Sequence, residues 1–146
     1  MKQAILAAAL VFAAQAGAAQ QVVTYTTDQS FDDVIFGLES AIIDAGLVVD
    51  SVSKVGEMLE RTRGDIGSDV VIFSNAEVYS FCSATVSRSV MEEDPMNIVF
   101  CPYGIFVAVV PDKPDETVIG FRQYPEGAMQ QVQTLLDGIA KAALDE

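Results

Sequence analysis

A chain of 146 residues with 21 acidic side chains against 8 basic ones, a formal net charge of −13, is long enough for one domain with a real core and presents a surface that repels nucleic-acid phosphates and anionic lipid. It has no histidine, which excludes a Ser-His-Asp or Cys-His triad, a histidine zinc site and a histidine haem ligand. Neither Cys-x-x-Cys nor a glycine-rich phosphate loop occurs; the charge serves solubility first, and attraction to a basic protein or a metal ion second.

Lys2 gives a basic start, Ala4 to Ala14 is uncharged, and Gln15 to Ala19 is rich in small residues. These are the three parts of a secretory signal peptide over residues 1–19, cut after Ala18 or Ala19, and the apolar run is too short to span a bilayer. No later segment could span one either, since the longest apolar stretch, Ile98 to Val110, is interrupted by Pro102 and Gly104. The expected product is one periplasmic domain, residues 20–146.

Gln21 to Thr27, with its β-branched and aromatic residues, predicts a first strand. Ser30 and Asp33 have the spacing of a helix start. Phe31, Val34, Ile35, Leu38, Ile42 and Ala45 follow with helical period, and Gly46 stands where a left-handed stop belongs. Leu47 to Val55 predicts a second strand, and Gly56 to Arg63 a short helix. Gly64 to Asp69 reads as a loop. Val70 to Phe73 and Ala76 to Ala84 read as extended, and Thr85 to Asp94 as a helix ended by Pro95. Ile98 to Val110, apolar throughout, predicts a central strand covered on both sides. A turn over Pro111 to Asp115 leads to a returning strand, Glu116 to Tyr124. Met129, Val132, Leu135, Leu136, Ile139 and Ala143 mark a last amphipathic helix. The class is α+β: a single compact domain, a mixed β-sheet with amphipathic helices packed on it. Phe31, Leu38, Ile42, Phe106 and Leu136 are expected in the core.

The chemistry falls to few residues. Cys82 and Cys101 are the two cysteines. In an oxidising compartment they are a disulfide candidate, worth about 3 kcal/mol for a loop of this length. The alternatives are a functional thiol or metal pair, or two inert buried thiols. A full parallel crossover through Thr85 to Asp94 would set them at opposite ends of the sheet. That helix, however, rises only about 15 Å against about 30 Å for a nine-residue strand. They are therefore expected within disulfide or shared-ligand range. Met58, Met91 and Met96 flank them, and soft sulfur donors suit Cu(I); gap-filling in the core is the commoner use of methionine. Arg88 is a scarce cation that could hold an anion. Glu92, Glu93 and Asp94 read as a solvated helix end.

Three runs carry a family resemblance over nearly all of the chain after the leader. They are Thr26-Thr27-Asp28-Gln29-Ser30-Phe31-Asp32, Ala45-Gly46-Leu47, and the sequence of Tyr79-Ser80-Phe81-Cys82, a helix closing at Asp94-Pro95, and Ile98-Val99-Phe100-Cys101-Pro102. The chain resembles the family known as domain of unknown function 302. It departs where many members carry Cys-Asn-Pro and Pro-Cys, here Cys82-Ser83-Ala84 and Cys101-Pro102, and it looks like an exported branch. The resemblance implies a compact α+β domain that readily forms a homodimer, with no assigned activity, and a loose association with sulfur and redox partners. The functional expectation is a periplasmic accessory or ligand-binding protein, leaning away from catalysis, with its site around Cys82, Cys101 and Arg88. The alternatives are a thiol-based sulfur or redox-handling protein, or a soft-metal (copper) protein with Cys82, Cys101, Met91 and Met96 as donors.

Overall fold

Alternating Val and Thr residues around Tyr25 form the first strand, β1 (Val22–Thr27). The first helix, α1 (Phe31–Asp44), begins as its cap predicts: the Ser30 hydroxyl accepts from the Asp33 backbone N–H at 3.1 Å. The chain then runs through β2 (Val49–Ser53), α2 (Val55–Thr62), β3 (Asn75–Phe81), α3 (Ala84–Glu93), a 3-10 turn (Pro95–Phe100), β4 (Tyr103–Val109), β5 (Thr117–Arg122) and α4 (Gln130–Ala142). This computed structural model describes residues 21–144, and the signal peptide expected over residues 1–19 lies outside them. No helix among the described residues is long and apolar enough to cross a membrane.

The five strands order as β1-β5-β4-β3-β2. Every neighbouring pair is antiparallel, so the α+β class holds while the sheet is not mixed. The reason lies between β3 and β4. Asp94 caps the 3-10 turn, its carboxylate accepting from the Met96 N–H at 2.9 Å. The Asn97 side-chain amide donates to the Val90 carbonyl at 2.8 Å, folding the turn back along α3. The chain leaves the sheet and returns at the same end, and the strand expected from Ile98 begins only at Tyr103. Ile98 and Val99 are apolar yet exposed, because in the 3-10 turn they have no sheet partner. Val70 to Phe73, also expected as extended, pairs with no strand.

Helix α4 packs against both α1 and α3, and α1 and α4 lie against the central strands. Val34, Leu38 and Ile42 from α1 meet Val132, Leu136 and Ile139 from α4 over Ile105, Val107, Ile119 and Phe121 of the sheet. Leu38, Ile42 and Leu136 are buried as expected. Phe31 and Phe106 are only half-buried. Phe106 points to the opposite face of β4, so that strand is not covered equally on both sides. There its ring lies over Gly120: a Cβ at position 120 would stand 2.9 Å from the ring and 2.5 Å from the Val23 carbonyl. The edge strand is clipped to α4, since Asp137 accepts hydrogen bonds from the Tyr25 hydroxyl and from Lys141, the latter at 2.8 Å.

Two outcomes follow from this packing. Leu38→Ala is expected to cost about 2–5 kcal/mol in denaturant melts, because it opens a cavity at the α1–α4 seam. Lys141 first, and the Tyr25 hydroxyl second, hold the Asp137 carboxyl below the usual carboxylate range. A carboxyl depressed in the fold stabilises it above the unfolded value of about 3.9 and ceases to do so as pH falls through the lower folded value. Urea midpoints below about pH 4 should therefore fall less steeply in Asp137→Asn than in the parent chain.

Candidate functional site

Antiparallel pairing sets Phe81 opposite Tyr103. Cys82 follows the first directly and Cys101 precedes the second by two residues, so both cysteines emerge at one end of the sheet. The opposite-ends arrangement of a parallel crossover is thereby excluded. The two are free thiols, Cys82 exposed and Cys101 half-buried, and they do not stand at disulfide distance. The charge of Cys101 nonetheless bears on the Cys82 thiol.

Around them lies a small set of hydroxyls and rings. The Ser87 hydroxyl, one turn into α3, is 3.8 Å from the Cys101 sulfur and 2.9 Å from the Tyr103 hydroxyl. Ser83 caps α3, accepting from the Val86 N–H at 3.3 Å, and so fixes the direction in which Ser87 points. Tyr103 is fully buried. Its ring meets Tyr124 edge-on at 6.1 Å, and Tyr124 in turn packs on Phe100 at 5.7 Å, an aromatic back wall for the pair. Burial pushes the Tyr103 hydroxyl up to about 12 against the Ser87 hydrogen bond, with Cys101 adding to the rise. Burial alone accounts for most of the rise of Tyr124 to about 12.

The Cys82 thiol is also pushed up. Partial desolvation is the largest cause, then the charge and hydrogen bond of Cys101, then the charge of Asp50; the Tyr103 backbone N–H, which favours the thiolate, pulls the other way. The residue stays exposed, so the sulfur keeps its access to solvent. No lysine or arginine figures among the groups acting on it. At neutral pH this is a protonated, weakly nucleophilic thiol, unlike the depressed thiolates of cysteine enzymes.

The other residues singled out from the sequence do not gather here. The Arg88 side chain is 79% exposed and pairs with Glu92 at 2.8 Å on the outer side of α3. Met91 is half-buried and packs on the core, whereas Met58 and Met96 are exposed. Among the described residues no three histidine, cysteine or acidic side chains are grouped to hold a metal ion. Three residues that do shape the site were not anticipated. Tyr103 lies only two residues after Cys101 and could have been noticed on that ground. Ser87 needed the helix cap for its placement. Asp50 sits where the β2–β3 register shifts between Val49 and Ser51, a feature with no sequence signal.

The family model for a domain of unknown function, DUF302, matches residues 23–145. Among solved structures, the crystal structure of an uncharacterised conserved DUF302 protein from Bacillus stearothermophilus is similar, with a TM-score of 0.58 at 20% sequence identity, covering 87% of this chain and 90% of that one. That likeness shows the fold. No curated protein matches.

The causes acting on Cys82 make a specific expectation. Iodoacetamide alkylation of Cys82 should still be accelerating with pH above the ordinary thiol value of about 8.5. Cys101→Ser should shift that profile to lower pH, because it removes the second cause of the rise.

Proposed function

We propose that this chain, which belongs to the DUF302 family, is an exported accessory protein of the periplasm that binds a thiophilic ligand at the Cys82–Cys101 pair without turning it over. The observation that carries this reading is the convergence of two free thiols at one end of β3 and β4, beside the hydroxyls of Ser87 and Tyr103. Catalysis finds little support there: the chain has no histidine, and Cys82 is made less reactive by its surroundings. Arg88, directed outward toward Glu92, is left out of the proposed site. Export is supported by the basic, apolar and small-residue segments of residues 1–19.

A thiol-based redox role is the second reading, favoured by the pairing of an exposed cysteine with a half-buried one. Self-association, which the family resemblance implies, would suit the sheet face that carries Val78, Gly104, Phe106 and Arg122. That face holds a shallow groove whose lining residues include no carboxylate, in a chain of net charge −13.

One preparation tests these points. Intact mass of the protein purified from the periplasm should start at Ala19 or Gln20, and native mass should show two chains. Titration of the undenatured protein with a thiol reagent should find two reactive thiols after mild reduction. A mass retaining Met1 would refute export, and thiols that stay inaccessible in the native protein would refute the site.

A further inference from the structure

We propose that the sheet face turned away from the helices binds a small organic monocarboxylate with a flat apolar body, in a trough floored by Gly104 and flanked by the Arg122 guanidinium. The trough is distinct from the thiol pair, and either can bind without the other.

Strand register makes the trough. Phe106 points away from the core, and Gly104, two residues before it, shares that face. Ser80 is paired with Gly104 and lies on the same face. Phe106 stands opposite Gly120, so two residues further along the same register Arg122 flanks Gly104 on its other side. Ser80, Gly104 and Arg122 thus form one row across β3, β4 and β5, with its outer members about 10 Å apart. The middle member has no side chain. The result is a hollow of about 260 Å³, bounded also by Val78, Phe106 and Pro102. A Cβ at Gly104 would meet nothing closer than Val78 Cγ1 at 3.6 Å. Packing does not demand a glycine there; its effect is to leave the floor open.

Charge selects the ligand. Lys54, Arg63, Arg88, Lys113 and Lys141 each meet a carboxylate within 3.2 Å. Arg61 lies in a hollow that it shares with Glu57 and Glu60. Arg122 is exposed and has no ion pair among the described residues. It lines a hollow without a carboxylate, in a chain of 21 acidic residues. A guanidinium left open in this way is a fork for one planar carboxylate, held by two parallel hydrogen bonds. No second cation lines the hollow, so a dianion such as phosphate would be left half-neutralised on a strongly negative molecule.

Shape sets the rest of the ligand. The Phe106 ring lies over Gly120, 2.9 Å from where a Cβ would stand, and forms one wall. Val78 and Pro102 add apolar surface. These walls suit a flat hydrocarbon body, and the Ser80 hydroxyl across the trough can meet a polar substituent on it. The hollow is small for a ligand site, which restricts the body to about a single ring.

The test is a titration of the 15N-labelled protein with benzoate, followed by amide chemical shifts. The protein is diluted until it is monomeric, since a second copy on the same face would cover the trough. Saturable shifts centred on Ser80, Gly104 and Arg122 are expected, with a dissociation constant on the order of 1 mM for so small a ligand. Benzamide, the same ring without the charge, should bind at least about 10-fold more weakly, and Arg122→Gln should lose benzoate affinity by a similar factor. Gly104→Ala should weaken benzoate several-fold by raising the floor, with no fall in its urea midpoint. Arg88→Gln, on the outer side of α3, should change nothing. Absence of saturable shifts, parental affinity in a folded Arg122→Gln, or equal affinity for benzamide would each overturn the proposal. So would shifts at these amides that follow protein concentration and not benzoate, which would assign the face to a second copy. Thiol titration is blind to all of these outcomes, so the trough and the thiol site stand or fall separately.

Discussion

The pairing of Phe81 with Tyr103 is the constraint on which the thiol end of the molecule depends. It requires that everything between β3 and β4 leave the sheet and come back to the same end. The ten residues of α3 carry the chain out by about 15 Å. The six residues of the 3-10 turn recover about 12 Å at their steeper rise. Asn97 on the Val90 carbonyl holds the two legs together. With a longer helix and no return leg, β4 would have run parallel to β3 and the cysteines would have separated by the length of a strand.

Much of this fold is written in local patterns. The apolar stripe of α1 and its Ser30 cap place that helix within a residue, and the stripe through Val132, Leu136 and Ile139 places α4. That both cysteines leave the sheet at the same end was legible too, from the shortness of the helix between them; the approach to disulfide range that was expected with it is not found. What was not legible has a common physical cause. Ile98 and Val99 are β-formers by composition, but Pro95 and the Asp94 cap commit the segment to a 3-10 turn before sheet pairing can claim it. Asp50 reaches the site through a shift in strand register, which depends on two strands at once and leaves no trace in either. Arg88 drew notice as a scarce cation, yet the Glu92 one turn on takes it.

The electrostatics of the pair explain why two exposed-side thiols need not be a reactive centre. Reactive cysteines are lowered by a nearby cation, a helix N-terminus or a metal. Cys82 stands just before the capped start of α3, a position that would lower it. Partial desolvation, Cys101 and Asp50 outweigh that and raise it instead. Low reactivity thus follows from the charge arrangement around the thiol rather than from its exposure.

The two sulfurs differ in how firmly they are held, and that difference bears on how a ligand would be captured. Cys101 leads into Tyr103, which is fully buried and locked edge-on against Tyr124, and its sulfur is addressed by Ser87 from a capped helix. Its position is set by the core. Cys82 is exposed and follows the last paired residue of β3, so its side chain is less confined than that of Cys101. A ligand arriving from solvent would meet Cys82 first and be closed onto a fixed second donor. Pre-organising one donor lowers the ordering cost of binding to that of a single side chain. Leaving the other free preserves a way in.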